Sequence, residues 1–124
     1  MMKATRNDRT NFQPMSELYE TIDLHWEFSP EEFRNIEMGR VPLEMGDRFF
    51  IFMEDNCLYI NLTMSGECLY MLWFEQQGDH YVAYKLRITK DPAVARITDN
   101  KQERKWVIGI LKDSLRVPRT RNLE

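Results

Sequence analysis

The sequence predicts an α+β domain: a strand, a short helix, a four-stranded antiparallel meander, and a C-terminal helix packed on one sheet face. Three observations predict it. Apolar residues alternate at period two over residues 22–28, four apolar runs follow between 47 and 89 with separators of two to four residues, and residues 101–115 carry apolar side chains at helical spacing. Separators this short cannot hold crossover helices, so neighbouring runs pair antiparallel.

The elements follow in order. Ile22, Leu24, Trp26 and Phe28 alternate with Thr21, Asp23, His25 and Glu27, which gives a half-buried strand. Ser29-Pro30-Glu31-Glu32 starts a helix: Ser29 caps, Pro30 suits the first helical position, and Glu32 completes a capping box. Phe33 and Ile36 form its buried edge and Gly39 ends it. The four runs are Asp47 to Met53, Cys57 to Met64, Glu67 to Glu75 and His80 to Thr89, with Ser65-Gly66 read as a two-residue hairpin. With that turn Cys57 faces Phe74 and Cys68 faces Thr63, too far out of register for a disulfide. Several runs are apolar on both faces, so the second face is covered or exposes an apolar patch. Asp99 and Gln102 start the last helix, whose stripe is Val107, Ile108, Leu111 and Leu115, with Trp106 and Ile110 beside it. Gly109 within it suggests a close approach of the helix to the sheet.

The chain of 124 residues suits one domain, 17–117, between a flexible polar arm, 1–16, and a polar tail, 118–124. An apolar fraction of 43% with 12% aromatic residues excludes intrinsic disorder. Two cysteines exclude a disulfide scaffold and a four-cysteine zinc site. No apolar run approaches the roughly 18 residues of a membrane helix, and the polar N-terminus lacks a signal-peptide core. The expected location is the cytoplasm.

The net charge of −3 hides a segregation: residues 17–79 carry 14 acids against three bases, and residues 80–124 carry 11 bases against five acids. Either the chain presents two surfaces of opposite sign, or the acidic and basic segments meet in the fold. The row Asp23, His25 and Glu27 shares one strand face, but no second cluster completes a metal site. His80 is the only histidine near either cysteine by topology, and buried apolar thiols are the expectation for both. No phosphate-binding glycine loop, G-x-S-x-G or H-E-x-x-H is present. No metal, cofactor or catalytic residue is expected.

The stretch Asp47-Arg48-Phe49-Phe50-Ile51-Phe52-Met53-Glu54-Asp55, with Leu58-Tyr59-Ile60-Asn61-Leu62-Thr63-Met64-Ser65-Gly66 and Cys68-Leu69-Tyr70, resembles a group of small uncharacterised bacterial proteins. Their strands read W-F-I-Y-x-E-D, L-Y-F-H-R-S-W-T-G and C-I-Y. The resemblance covers residues 28–75 and is carried by Phe50, Glu54-Asp55, Leu58-Tyr59, Gly66 and Cys68-Leu69-Tyr70. It implies a small α+β domain. Where that group has His-Arg-Ser-Trp, this chain has Asn61-Leu62-Thr63-Met64. An anion fork and a proton carrier are thereby missing.

The expected function is non-catalytic: a protein–protein interaction or regulatory domain, homodimeric if its acidic and basic surfaces pair, for which eight Met and 15 aromatics suit the contact (seven Phe, five Tyr, three Trp). The alternative is a small-molecule-binding or hydrolytic domain with a site on the second meander face near Tyr59, Asn61, Thr63 and Trp73. A third reading is nucleic-acid binding through the basic surface Lys101, Arg104, Lys105, Lys112 and Arg116. The acidic net charge and the lack of an RNP-type aromatic motif weigh against it.

Overall fold

The computed structural model describes residues 3–44 and 46–117. The expected tail, 118–124, lies outside them. The fold is α+β: β1 (Tyr19–Phe28), α1 (Pro30–Met38), β2 (Phe49–Glu54), β3 (Cys57–Leu62), β4 (Cys68–Gln77), β5 (His80–Thr89) and α2 (Asn100–Ser114). All five strands form one antiparallel sheet in the order β1-β5-β4-β3-β2.

The first face is the main core. Cross-strand partners share a face, which gathers Ile51, Leu58, Ile60, Tyr70, Leu72, Leu86 and Ile88, all buried. Both helices contribute to this core. Helix α1 starts as its capping box requires, with Glu32 N–H donating to Ser29 Oγ at 3.1 Å and Ser29 N–H donating to the Glu32 carboxylate at 2.8 Å. Its Phe33 stacks on Tyr81 at 3.9 Å between centroids and meets Phe74 edge-on at 5.4 Å. Helix α2 is capped by Asp99, whose Oδ1 accepts from Gln102 N–H at 2.9 Å. It buries Glu103, Val107, Ile110 and Leu111.

Two expectations for α2 need correction. Trp106 is 44% exposed rather than packed beside the stripe. Gly109 does not bring the helix close to the sheet: a Cβ built there meets nothing within 4 Å.

The register of the central hairpin also differs from the expectation. Cys57 faces Trp73 rather than Phe74, and Cys68 faces Asn61 rather than Thr63. The cause is the turn. Leu62 N–H donates to Glu67 O at 2.9 Å and Gly66 N–H donates to Leu62 O at 2.9 Å, so the loop is wider than two residues. A bulge between Ile60 and Asn61 then moves Cys68 onto the face shared with Asn61. By contrast, the β2–β3 hairpin is tight, with Asp55 and Asn56 both at positive φ, as a two-residue turn of the right twist demands.

The second face is covered over half its width by residues 3–16, which the sequence presented as a flexible arm. They lie along the sheet: Ala4 is 1% exposed and its N–H donates to Met38 O at 2.8 Å, while Gln13 N–H donates to Gly66 O at 2.9 Å. Phe12 packs edge-on against Phe52 at 5.4 Å, forming a second small core with Ala4, Phe50 and Tyr59. Arg6 lies over the Phe12 ring at 4.7 Å and pairs with Glu54.

The arm and the hairpin loop fit because Gly66 lacks a side chain. It sits at φ +78°, and a Cβ there would lie 1.7 Å from Asn11 O. Gly66→Ala is therefore expected to destabilise the protein by at least about 2 kcal/mol in chemical denaturation, and to speed proteolysis within residues 3–16. Gly46→Ala, where a Cβ meets nothing within 4 Å, should stay within about 0.5 kcal/mol of the parent. Equal losses at both positions would contradict this picture of the arm.

Candidate functional site

The four residues expected at a second-face site are placed in two different settings. Tyr59, Asn61 and Thr63 lie beneath the arm. The Tyr59 ring stacks on Phe52 at 4.8 Å, and burial raises its phenol above the ordinary value. Asn61 is fully buried and its Nδ2 donates to Gly66 O at 2.9 Å and to Gln13 O at 3.3 Å. The carbonyl of buried Thr63 accepts from Asn11 Nδ2 at 3.1 Å. These contacts fasten the arm and the hairpin loop to the sheet. In that role Asn61→Ala leaves Gln13 O without this donor and Gly66 O with Gln13 N–H alone, and is expected to cost about 1–3 kcal/mol by denaturant titration.

Trp73 stands apart, on the half of the second face that the arm leaves uncovered. Lys85 Nζ lies 4.3 Å from its ring centroid and the Arg87 guanidinium 5.0 Å. Arg87 also lies 4.2 Å over Tyr19, which is 43% exposed. Register explains the grouping: Thr21 faces Arg87, Asp23 faces Lys85, and Lys85 faces Trp73 across the next strand pair. Further along, His25 Nε2 is 3.0 Å from Glu27 and His80 Nε2 is 3.6 Å from it. The acidic strand β1 thus lies beside the basic strand β5, so part of the segregated charge meets within the fold. The open patch is two adjoining rows, one acidic and one basic, with aromatic rings among them. Lys85 and Arg87 were visible in the sequence as residues alternating with Leu86; only the sheet order brings them to Trp73.

The five basic positions near the C-terminus do not form one surface. Lys101, Lys105 and Lys112 are exposed on α2. Arg104 turns back toward the sheet, its guanidinium 3.5 Å from Asp23 O. Arg116 follows the helix in the left-handed region, and its carbonyl accepts from Asn35 of α1 at 3.2 Å.

Neither thiol is placed for nucleophilic work. Both cysteines are free and buried, and burial pushes each thiol up to about 12. Among the described residues no group of three or more His, Cys, Asp or Glu side chains is gathered to hold a metal ion, and no helix is long and apolar enough to cross a membrane.

Sequence reasoning missed a groove on the first face. It lies between α2 and the β2 end of the sheet, has a volume of about 550 Å³, and is lined by Tyr70, Glu103, Trp106, Gly109, Arg48 and Arg96 among others. Glu103 is only 4% exposed, and Tyr70 Oη donates to its Oε1 at 2.6 Å. Burial raises the Glu103 carboxyl from the ordinary 4.5, with Asp99 acting in the same direction and Tyr70 and Lys90 against it. Burial and this hydrogen bond both raise the Tyr70 phenol. A signal for Glu103 did exist: it stands four residues before Val107 and seven before Ile110, on the buried stripe.

The folded Glu103 carboxyl holds its proton more tightly than the unfolded one. Over a window that opens near 4.5, the native state therefore binds more protons, and stability falls as pH rises. Glu103→Gln removes this contribution. The melting temperature of the parent relative to the variant should decline upward from about pH 4.5 and then level off. A difference that stays constant across that range would contradict the burial of this carboxyl.

Comparison with protein-family models, with curated proteins and with solved structures gives no match.

Proposed function

We propose that this chain is a non-catalytic interaction domain that pairs with a second copy of itself through the uncovered half of its second sheet face. The observation that carries the reading is the arrangement of that patch. On β1 Asp23 faces Lys85 of β5 and Glu27 lies near His80, while Trp73 of β4 and Tyr19 of β1 lie against the Lys85 and Arg87 cations. A two-fold contact joins a patch to itself, so the patch must complement its own rotated image. Adjacent rows of opposite sign satisfy that condition, and Trp, Tyr and Arg are the side chains that most often anchor interfaces. The two buried, unpaired thiols suit a reducing compartment such as the cytoplasm.

Sedimentation velocity tests the reading. The expected result is a monomer–dimer equilibrium that shifts to monomer on dilution and with added salt. Lys85→Asp should weaken association at least tenfold by setting like charges against each other, and the exchange Asp23→Lys with Lys85→Asp should restore it. A monomer at every concentration and ionic strength would overturn the proposal.

A further inference from the structure

The α2 groove carries an inference independent of self-association. Its size, about 550 Å³, falls in the range of small-ligand sites. Three features make it more than a gap in packing.

The first is the carboxylate at its base. Glu103 is buried, and Tyr70 is its hydrogen-bond partner among the described residues. Glu103 also lines the groove, so its carboxylate borders that space. A buried carboxylate with a free lone-pair side is a receptor for an N–H donor, best a cationic one.

The second is the pairing of Trp106 with Gly109, three residues apart and so neighbours on the helix surface. A large ring stands 44% exposed at the wall. Next to it a mid-helix glycine costs roughly 1 kcal/mol relative to alanine, and no packing contact explains it, since a Cβ would meet nothing within 4 Å. Both residues line the groove, and the missing side chain leaves room beside the indole.

The third is the rim. Arg48 and Arg96 are exposed and border the groove from the sheet side and from the connector before α2. Lys105 and Asp113 also border it and offset each other. The site thus runs from an anionic base, past an aromatic wall, to a cationic rim. That polarity selects a ligand with the opposite order.

We propose that the groove binds a small zwitterionic aromatic molecule of the amino-acid type, its ammonium on Glu103, its ring beside Trp106 and its carboxylate at Arg48 and Arg96. The contact to Glu103 is the orienting one, because it is the most desolvated charge in the site. The rim arginines, exposed to solvent, add discrimination between a zwitterion and a simple amine.

Calorimetric titration of the full chain tests this with three probes that share one ring: phenylalanine, phenethylamine and phenylacetate. The expected order of affinity is phenylalanine, then phenethylamine, then phenylacetate. Glu103→Gln should weaken phenylalanine at least tenfold and remove the preference for the amine over the acid. Gly109→Leu should abolish binding of all three while raising the melting temperature, a combination that damage to the fold cannot produce. The proposal is overturned if none of the probes binds in the millimolar range, if phenylacetate binds as well as phenethylamine, or if Gly109→Leu leaves binding intact.

Discussion

The structure depends on one constraint: its antiparallel sheet is apolar on both faces, so both need a cover. The first face is served by α1 and α2, whose buried side chains join Leu58, Ile60, Leu72 and Leu86 in one core. Among the described residues no α-helix covers the second face. Its Phe50 and Phe52 are shielded by the N-terminal residues, with Phe12 and Ala4 as the apolar contacts and Arg6 lying across the rings. That cover reaches β2 and β3. Over β4 and β5 the sheet protects Trp73 with its own cations instead, Lys85 and Arg87 laying their side chains against the indole. The second face is thereby divided into a packed half and a charged, open half.

Alternation along β4 then sets two sites on opposite sides of one strand. Tyr70 points to the first face and meets Glu103 at the base of the groove. Trp73, beyond Leu72, points to the second face and meets Lys85 and Arg87. Period two is enough to separate them. Both sites join an aromatic ring to charge, but in different dielectric settings. The Glu103 carboxylate is buried, which raises its proton affinity. The cations on Trp73 are half-exposed.

Much of the architecture was legible in the sequence because it is written in short-range chemistry. The capping box at Ser29 and Glu32, the Asp99 cap and the alternation of Ile22, Leu24, Trp26 and Phe28 in β1 all appear where local pattern placed them. What escaped was decided by a single residue or by a distant partner. Bulges at Asp23/Trp26, Ile60/Asn61 and Trp73/Phe74 each reset the register by one residue, and no pattern of apolar residues announces an inserted one. Phe12 sits in a polar segment, so its burial is visible only once Phe52 and Tyr59 are in place. Asn61 and Thr63 are polar residues in a strand run, which suggested a site; Asn61 instead donates to the Gln13 and Gly66 carbonyls, and Thr63 offers its own carbonyl to the Asn11 side chain.

The three tryptophans report on three separate regions: Trp26 in the core, Trp73 on the open half of the second face, and Trp106 at the groove. Their indole N–H resonances, followed while the protein is diluted from the millimolar to the micromolar range, test the central claim that the open half of the second face is where two copies meet. The account predicts that the Trp73 signal moves with concentration while those of Trp26 and Trp106 hold still. A Trp73 signal unchanged over the whole range would contradict it.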